Sequence, residues 1–485
     1  MSSIDEIRDI RIKKLELLKK KGVNPYPAES NRELTLKEAI DKFDSLEKSG
    51  EIKWISGRIM SIRGQGAIIF LTLNDGTAQF QGLLKKDSMD DEKINFFNEV
   101  VDIGDFVEIQ GNFFVTKRGE KTMEVKDWRM LSKSLRPLPE KWHGLQDVEE
   151  RFRKRYLDIL MDEEIKNILL KKTKFWDTAR NFMKEHGFLE VETPSLEITT
   201  GGAEATPFKT FNEDSKLPLF LRISIGELWQ KRLMAAGFNK TFEIGRAYRN
   251  EGTDANHLQE FTNLEFYWAY ANYKDGMELV EKLYKKIALD VFGKTDFETR
   301  GHKFNLNDKW EKIDYRDTIK KETGIDVLNT TEEEVKDKLD KLKMIYDGTT
   351  MERLVDTLWK YCRRKISGPV FLTGHPKLVS PLSKSMEKDS KLTERFQIII
   401  AGAEVGNGFS ELNDPLDQAE RFEMQQELLK AGDKEAMMPD MEFVEMLEYG
   451  MPPTCGFGFG ELLFAFLVDK PIRETQLFPL MKPKE

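Results

Sequence analysis

The segment from Arg249 to Tyr267 carries residue types suited to binding a charged small molecule. Its second half, EFTNLEFYWAY, places an aromatic ring, an amide, a carboxylate and a phenol at every second position. Residues two apart on a β-strand share one face, so these side chains are predicted to line one sheet surface. A buried carboxylate is costly unless it meets a cation, which favours a positively charged ligand. An exposed edge hairpin with ordinary salt bridges would explain the same pattern. The four residues are Phe261, Asn263, Glu265 and Tyr267.

The polar loop before this strand contains Arg249, Glu251 and His257. An arginine guanidinium can hold a phosphate through two parallel hydrogen bonds. The loop therefore adds a predicted anion-binding group beside the acidic surface.

A second acidic strand is predicted in the segment EVGNGFSELNDP. By the same alternation, Asn407, Phe409 and Glu411 share one face, whereas Glu404 falls on the other. The glycines between them allow close backbone approach or a bulge. If Glu404 and Glu411 serve one site, the strand must kink at these glycines. The alternative is an edge strand weakened by its glycines.

Two further motifs are less informative by themselves. Glu227, in RISIGELWQKRL, stands at a predicted strand-to-helix junction, where the helix dipole usually favours an acid. The run GFGFG at 456–460 lacks the acidic residue that a dinucleotide-binding fingerprint places about 20 positions later. Its glycines more often indicate tight strand packing than phosphate binding.

The elements that must position these residues form two regions. From Lys53 to Leu131, five short runs rich in β-branched and aromatic residues alternate with turn signals, which predicts a barrel of the OB type. A basic helix is predicted over residues 1–22, as either a solvated face or a nucleic-acid contact. The segment 134–144 is predicted to be a linker.

Beyond the linker, helices and strands are mixed. A helix with apolar positions from Ile165 to Met183 is predicted to end at Gly187, followed by the half-buried strand FLEVETP. Strands joined mostly by hairpins favour an antiparallel α+β domain over a doubly wound one. The predicted domains are residues 1–140 and 141–485, the second with a helical insertion at about 285–375.

Composition limits the class of protein. The 485 residues are 39% hydrophobic and 33% charged, and 76 basic against 85 acidic residues give a net charge of −9. A net negative chain binds nucleic acid only through local patches. Two cysteines cannot build a disulfide framework, and no apolar run is long enough to span a membrane. These features predict a cytoplasmic globular protein of two or three domains.

Taken together, the segments resemble the class II aminoacyl-tRNA synthetases, specifically the bacterial-type lysyl-tRNA synthetases. The similarity runs along nearly the whole chain and is strongest in KWHGLQDVEERFRKRYLDI, FLEVETP, FEIGRAYRNEG to EFTNLEFYWAY, and EVGNGFSELNDP. It implies an antiparallel catalytic sheet flanked by helices, behind an N-terminal OB-fold domain that binds the anticodon. It also implies a homodimer that uses ATP and Mg²⁺ to attach L-lysine to tRNA(Lys).

The resemblance further implies a role for individual residues. Arg249 and His257 match catalytic positions, and Phe261 matches the ring on which adenine stacks. The positions that match lysine-binding residues are Gly202, Glu227, Arg249, Glu265, Tyr267, Asn407, Phe409 and Glu411. Those that match ATP-binding residues are Arg249, Glu251, His257, Phe261 and Glu404. The magnesium positions are Glu404 and Gln397, and the anticodon readers are Arg63, Phe70, Gln81 and Glu120.

Two positions depart from the family pattern. The third family motif ends in an acidic residue and an arginine, but this chain has the sequence Glu461-Leu462-Leu463. Leu462 takes the arginine position under the simplest alignment and Leu463 under the other. Gln397 stands where the family often has a magnesium-binding glutamate. We therefore expect a lysine–tRNA ligase with weakened ATP use.

Two alternatives stay open at this point. One is a catalytically inactive protein of the same fold that still binds lysine or tRNA. The other is an aspartyl- or asparaginyl-tRNA synthetase, whose pocket receives a short side chain. Glu227 and Glu411 speak against this second alternative, because two glutamates would repel a carboxylate substrate.

Overall fold

The computed structural model describes residues 3–64, 68–139, 145–203, 205–346, 350–430, 432 and 436–484. The chain forms two compact units, Met1–Met161 and Asp162–Glu485. The domain boundary predicted between residues 140 and 141 lies outside the described residues. By compactness, the short helices that follow it belong to the first unit.

The first unit contains the barrel that the sequence predicts. Its strands are β1 (Lys53–Arg63), β2 (Ile68–Asn74), β3 (Gln79–Lys85), β4 (Phe106–Val115) and β5 (Lys121–Ser132). They pair in the order β1-β2-β3-β5-β4, and β4 pairs with β1 to close the barrel. Ile69, Leu71 and Leu73 alternate with outward-facing neighbours along β2 and fill the interior.

The predicted basic helix is α1 (Ile4–Lys20), which begins at a capping box formed by Ser3 and Glu6. One of its basic residues, Arg11, is only 6% exposed and donates a hydrogen bond to Ser134 Oγ at 2.6 Å. Part of the positive charge of α1 is therefore directed into its own domain. The other helices of this unit are α2 (Leu36–Asp41), α3 (Phe43–Ser49), α4 (Asp91–Val100), α5 (Val148–Arg153) and α6 (Arg155–Met161).

The second unit is built on a sheet of eight strands. Its strands, with those of two small sheets, are β6 (Leu189–Glu190), β7 (Leu196–Glu197), β8 (Lys209–Asn212), β9 (Leu217–Leu221), β10 (Lys240–Tyr248), β11 (Glu260–Ala269), β12 (Asp296–Thr299), β13 (His302–Asn305), β14 (Glu311–Asp314), β15 (Val370–Thr373), β16 (Arg395–Ile400), β17 (Ala403–Ser410) and β18 (Thr454–Gly460). The large sheet has the order β14-β15-β16-β17-β18-β11-β10-β6. Neighbours are antiparallel except β14 with β15 and β10 with β6. This confirms the antiparallel α+β core.

Helices cover this sheet with apolar side chains. The helices are α7 (Glu163–Glu185), α8 (Glu227–Ala235), α9 (Tyr273–Ile287), α10 (Tyr315–Thr323), α11 (Glu332–Lys341), α12 (Met351–Arg363), α13 (Pro415–Lys430), α14 (Met441–Glu448) and α15 (Leu462–Leu467). Helix α7 is the predicted amphipathic helix, and its Phe175 and Phe182 belong to one core with Phe266 and Phe457 of the sheet. Helix α9 packs against β16, β17 and β18. The opposite face of these central strands is left for the site.

Two local predictions are wrong. FLEVETP forms only the two-residue strand β6, and its Leu189 is 50% exposed although the predicted alternation places that side chain on a buried face. The segment 285–375 is not purely helical, because it also contains β12 to β15, two of which extend the large sheet. Strands of two to four residues are too short for an alternating pattern to identify them.

Among the described helices, none has both the length and the apolar character that crossing a membrane requires.

Candidate active site

A cavity of about 480 Å³ lies in the second unit, against strands β11, β17 and β18. The alternation predicted for the two acidic strands is confirmed, since their polar side chains line this one space. Gln397 is the exception among the residues predicted for this unit, because it does not line the cavity. The predicted residues that line it are Gly202, Glu227, Arg249, Glu251, His257, Phe261, Glu265, Tyr267, Glu404, Asn407, Phe409 and Glu411.

Two buried carboxylates form one end of the cavity. Glu227 is the first residue of α8, so it is both a helix-terminal acid and a wall of the cavity. Glu411 directly follows β17 and is 1% exposed. Its Oε1 atom is buried and has no hydrogen-bond partner among the described residues. This end of the cavity therefore offers acceptor groups to a cation.

Lys231 is a residue of this site that the sequence analysis missed. Its Nζ atom lies 2.9 Å from Glu227 Oε1 and 2.6 Å from Glu411 Oε2. The rings of Tyr267 and Phe409 lie 5.9 and 5.4 Å from the same atom. The sequence does contain a signal for this ion pair, namely the four-residue spacing between Glu227 and Lys231, because residues four apart on a helix are neighbours on its surface.

Three glycines of β18 make room for these side chains. A Cβ atom at Gly456 would lie 2.0 Å from Glu411 Oε1, and one at Gly458 would lie 2.9 Å from Glu265 Cγ. A Cβ atom at Gly460 would lie 2.4 Å from Asn263 Oδ1 of the neighbouring strand β11. The GFGFG motif therefore serves close strand packing, as predicted, and this packing lets the carboxylates occupy the cavity wall.

Glu265 stands between the two ends of the cavity. Its Oε1 accepts a hydrogen bond from the Ile225 backbone N–H at 2.8 Å, and the Tyr267 hydroxyl donates to Oε2 at 3.4 Å. Burial, reinforced by the charge of Glu227, raises the pKa of Glu265 to about 7. Burial and Glu227 also raise the pKa of Tyr267, so its hydroxyl stays protonated and remains a donor.

Arg249 and Phe261 form the other end of the cavity. The guanidinium carbon lies 5.2 Å from the ring centroid, an arrangement typical of a cation–π contact. Glu251 and His257 from the connecting loop line the same end. The His257 Nδ1 atom lies 2.9 Å from Asp254 Oδ1. A ring beside a guanidinium, with polar loop groups around it, suits a nucleotide with its phosphates.

A bulge in β17 brings Glu404 to this face. The pairing of β16 with β17 shifts register between Ile398 and Ile399, which face Gly406 and Glu404, so Val405 is the extra residue. An extra residue reverses the alternation of the strand and re-aims the side chain beyond it. The kink that a shared site demands is therefore present.

Glu404 and Gln397 are the groups that could hold a magnesium ion. Gln397 Nε2 donates a hydrogen bond to Glu404 Oε2 at 2.6 Å, and its side chain also lies within hydrogen-bond reach of the buried His375. No described cluster of three or more carboxylate, imidazole or thiol groups is arranged for a metal. The Glu404 carboxylate at the cavity wall still fits Mg²⁺, which takes most of its ligands from water and phosphate.

Two arginines near Glu404 also belong to the site, although the sequence did not predict them. Arg363 ends helix α12, and Arg395 begins β16, where its Nε donates to Asn407 Oδ1 at 2.8 Å. Both line the cavity. Burial raises the pKa of Glu404, and the positive charges of Arg395 and Arg363 oppose that rise. They add positive charge to the end of the cavity opposite the two buried glutamates.

Leu462 begins helix α15 and lines the cavity, whereas Leu463 is completely buried in the core. Of the two leucines, only Leu462 stands where a longer side chain would enter the cavity. The loss of a family arginine at this position stays a prediction. Glu461, just before it, forms an ion pair with Lys172 of α7. Arg473, the next arginine of the sequence, is not among the described residues that line the cavity.

The four predicted anticodon readers lie on one surface of the barrel. Phe70 on β2 is paired in register with Arg63 on β1. Arg63 Nη2 donates to Gln81 Oε1 at 3.1 Å, and Gln81 Nε2 donates to Thr122 Oγ1 at 2.9 Å. Glu120 is exposed in the turn before β5, and its carbonyl oxygen accepts from the same Thr122 hydroxyl. An aromatic ring therefore stands beside polar groups that could read a base edge.

Comparison with known proteins agrees with the two units. Residues 53–131 match the family model of the OB-fold nucleic acid binding domain, and residues 147–482 match that of the class II tRNA synthetases for D, K and N. The fold and the cavity therefore define a class II aminoacyl-tRNA synthetase.

Full-length relatives narrow the family. The lysine–tRNA ligases of Thermotoga maritima and Halalkalibacterium halodurans are each 40% identical over 99% of this chain and over 97% and 98% of their own lengths. That of Pelotomaculum thermopropionicum is 41% identical over 99% of this chain and 96% of its own length. The chain belongs to the lysine–tRNA ligase family and is a ligase that forms aminoacyl-tRNA.

Proposed function

We propose that this chain activates L-lysine with ATP to lysyl-adenylate and transfers the lysyl group to the 3′ end of tRNA(Lys). The observation that carries the proposal is a pair of buried carboxylates, Glu227 and Glu411, in the same cavity as Arg249. A lysine side chain is a long apolar stem that ends in a cation. Tyr267 and Phe409 supply an apolar wall, and the two glutamates supply the opposite charge at its end.

Charge also explains why other amino acids are rejected. Leaving a buried charge without its partner costs about 3–5 kcal/mol, so an uncharged side chain would bind this pocket poorly. An aspartate side chain would meet repulsion from Glu227 and Glu411. These terms favour lysine over the other two substrates of the matching family model.

Activation requires positioning rather than a protein nucleophile. The lysine carboxylate attacks the α-phosphorus of ATP, a new P–O bond forms, and pyrophosphate leaves. Arg249 is suited to hold the carboxylate and the α-phosphate together, while Glu265 receives the α-ammonium group. Phe261 offers a face to adenine, and Glu251 and His257 position the nucleotide from the loop. Such catalysis rests on orientation and charge neutralisation.

In the second step, a ribose hydroxyl at the 3′ end of tRNA attacks the lysyl carbonyl, and AMP leaves. Mg²⁺ would be held by Glu404, with Gln397 as the second candidate ligand beside it, and when bound it would neutralise negative charge on the phosphates. A single carboxylate makes this site weaker than one with two.

Leu462 is expected to weaken ATP use. An arginine at its position would add a cationic contact to adenine and phosphate, worth about 1–3 kcal/mol, or one to two orders of magnitude in rate or affinity. The same substitution favours a second candidate function, a catalytically inactive protein that retains lysine or tRNA binding.

Anticodon recognition by Arg63, Phe70, Gln81 and Glu120 is part of the proposal, since single-stranded bases are read by stacking and by hydrogen bonds to their edges. Homodimerisation and a cytoplasmic location likewise remain predictions drawn from the family resemblance.

Aminoacylation tests the proposal directly. The full-length chain, with tRNA(Lys), ATP and Mg²⁺, should charge radiolabelled lysine but neither aspartate nor asparagine. If no charging occurred even after Leu462→Arg, the proposal would be wrong. Lysine binding without any charging would then support the inactive alternative.

A further inference from the structure

A lysine of the protein itself lies directly behind the two carboxylates. The Lys231 ammonium contacts both Glu227 and Glu411, and the residue is 1% exposed. Lys231 is not among the residues that line the cavity, so its ammonium stands behind the carboxylates and outside the space open to a ligand. Glu411 Oε1 remains unpartnered among the described residues.

The ionised groups at this end sum to one negative charge. With both glutamates ionised, these two groups and Lys231 together carry −1. Burial raises the pKa of Glu411 to about 8 against the opposing charge of Lys231, so full ionisation of this end at neutral pH requires one further cation. Farther along the cavity, Glu265 and Arg249 are suited to the α-ammonium and the carboxylate that every amino acid carries, so these two residues do not distinguish lysine from other substrates. The acidic end of the cavity is therefore one positive charge short of neutrality, and the ε-ammonium of lysine would supply that charge.

The surroundings keep the Lys231 charge in place. The rings of Tyr267, Phe409 and Phe443 lie within 5.9 Å of its Nζ atom and exclude water from it. Although burial opposes it, the charges of Glu227 and Glu411 raise the pKa of Lys231. The side chain is therefore a cation at neutral pH.

We infer that Lys231 is a positioning residue that sets substrate specificity, because it neutralises one of the two glutamates permanently and leaves the pocket to accept one further positive charge. The inference rests on the proposed function and concerns how the same pocket selects its substrate. Without Glu411, Lys231 would already neutralise Glu227 and would repel a substrate ammonium. Removing Lys231 as well would return the net charge at this end of the cavity to −1.

A rescue experiment on the full-length chain tests this balance. Isothermal titration with L-lysine is carried out on the wild type, on Glu411→Gln and on the double variant Lys231→Met/Glu411→Gln. Glu411→Gln should weaken lysine binding by about two orders of magnitude. The double variant should recover about tenfold or more of that loss. A merely structural role for Lys231 predicts the reverse, since losing a second buried group would weaken binding further.

Arg232 provides the matched control. It is the next residue of the same helix, and its Nη2 atom pairs with Asp440 Oδ2 at 2.9 Å instead of with the cavity carboxylates. Arg232→Met in the Glu411→Gln background should therefore recover no lysine binding. Methionine preserves the apolar stem in both substitutions.

The possible outcomes separate the inference from the proposed function. A wild type that does not bind lysine overturns the proposed function. A wild type that binds lysine, with a double variant no tighter than Glu411→Gln, overturns the inference alone, as does equal recovery with Arg232→Met. If thermal denaturation shows that the double variant does not fold, Glu227→Gln with and without Lys231→Met provides the same comparison.

Discussion

Glu265 is the residue that should link substrate binding to pH. Burial raises its pKa from the ordinary 4.5 to about 7, so below that pH its carboxyl group is largely neutral and cannot pair with an α-ammonium. We expect lysine affinity to rise with pH as Glu265 ionises near 7, and to rise further towards about pH 8, the value to which burial raises the pKa of Glu411. Titration calorimetry across this range measures the effect, and Glu265→Gln should remove the part of the rise near pH 7. An affinity independent of pH around neutrality would contradict the assignment.

The same pKa shift has a consequence for stability. The folded state binds the Glu265 proton more tightly than the unfolded state does. Its contribution to stability is therefore fully present below pH 4.5 and is lost as the pH rises through about 7. This loss is the energetic cost of keeping a carboxylate ready for the substrate.

Leu462 is the residue at which activity should be recoverable. Leu462→Arg should lower the KM for ATP about tenfold or more, because the new guanidinium would enter the cavity beside the phosphates. Lysine-dependent pyrophosphate exchange measures the change. Leu462→Gln is the control, since it adds a polar group without the charge. Equal improvement by both variants, or none by arginine, would show that the missing cation is not the defect.

At the level of elements, hairpin β10–β11 shows why much of the site could be predicted. Within one strand the alternation of side chains is a local property, so Glu265 and Tyr267 were assigned to one face from sequence alone. Glu404 reaches the cavity face only because β17 contains a bulge. The glycines of β17 allow such a bulge, but the sequence does not show at which residue it lies. Arg363 could not be predicted, because only the folding of the insertion brings helix α12 to the cavity.

Helix α12 provides a prediction of its own. Its last residue, Arg363, lines the cavity near Glu404, whereas the following Arg364 is exposed. Arg363→Gln should raise the KM for ATP about fivefold to tenfold, the effect of one partly exposed charge-assisted hydrogen bond, and leave lysine affinity unchanged. Arg364→Gln should change neither quantity in steady-state exchange kinetics. A parallel effect of both variants would mean that only net charge matters.

At the level of the whole molecule, the two predicted binding sites lie on different units. The barrel carries the predicted anticodon surface, and the second unit carries the cavity. The sequence identified both units, because a run of short strands and a mixed α+β segment have different patterns. The boundary predicted between residues 140 and 141 stays a prediction, because it lies outside the residues that the structure describes.

Phe70→Ala should separate the two activities. Loss of one base–aromatic stack costs about 1–3 kcal/mol, so the KM for tRNA(Lys) should rise by about one to two orders of magnitude. Lysine-dependent pyrophosphate exchange, which needs no tRNA, should be unchanged. The comparison of the two assays on one preparation is the measurement. Equal losses in both would show that Phe70 supports the fold rather than the anticodon.

The central claim is that a buried acidic pocket neutralises the cationic end of an amino acid beside a nucleotide site. Pyrophosphate exchange on the unaltered chain, with lysine and with norleucine, tests it most directly, because norleucine has an apolar side chain without the ammonium. Exchange should be detectable with lysine and about a hundredfold or more weaker with norleucine. Equal exchange with the two amino acids would contradict the claim, as would the absence of lysine-dependent exchange in both this chain and Leu462→Arg.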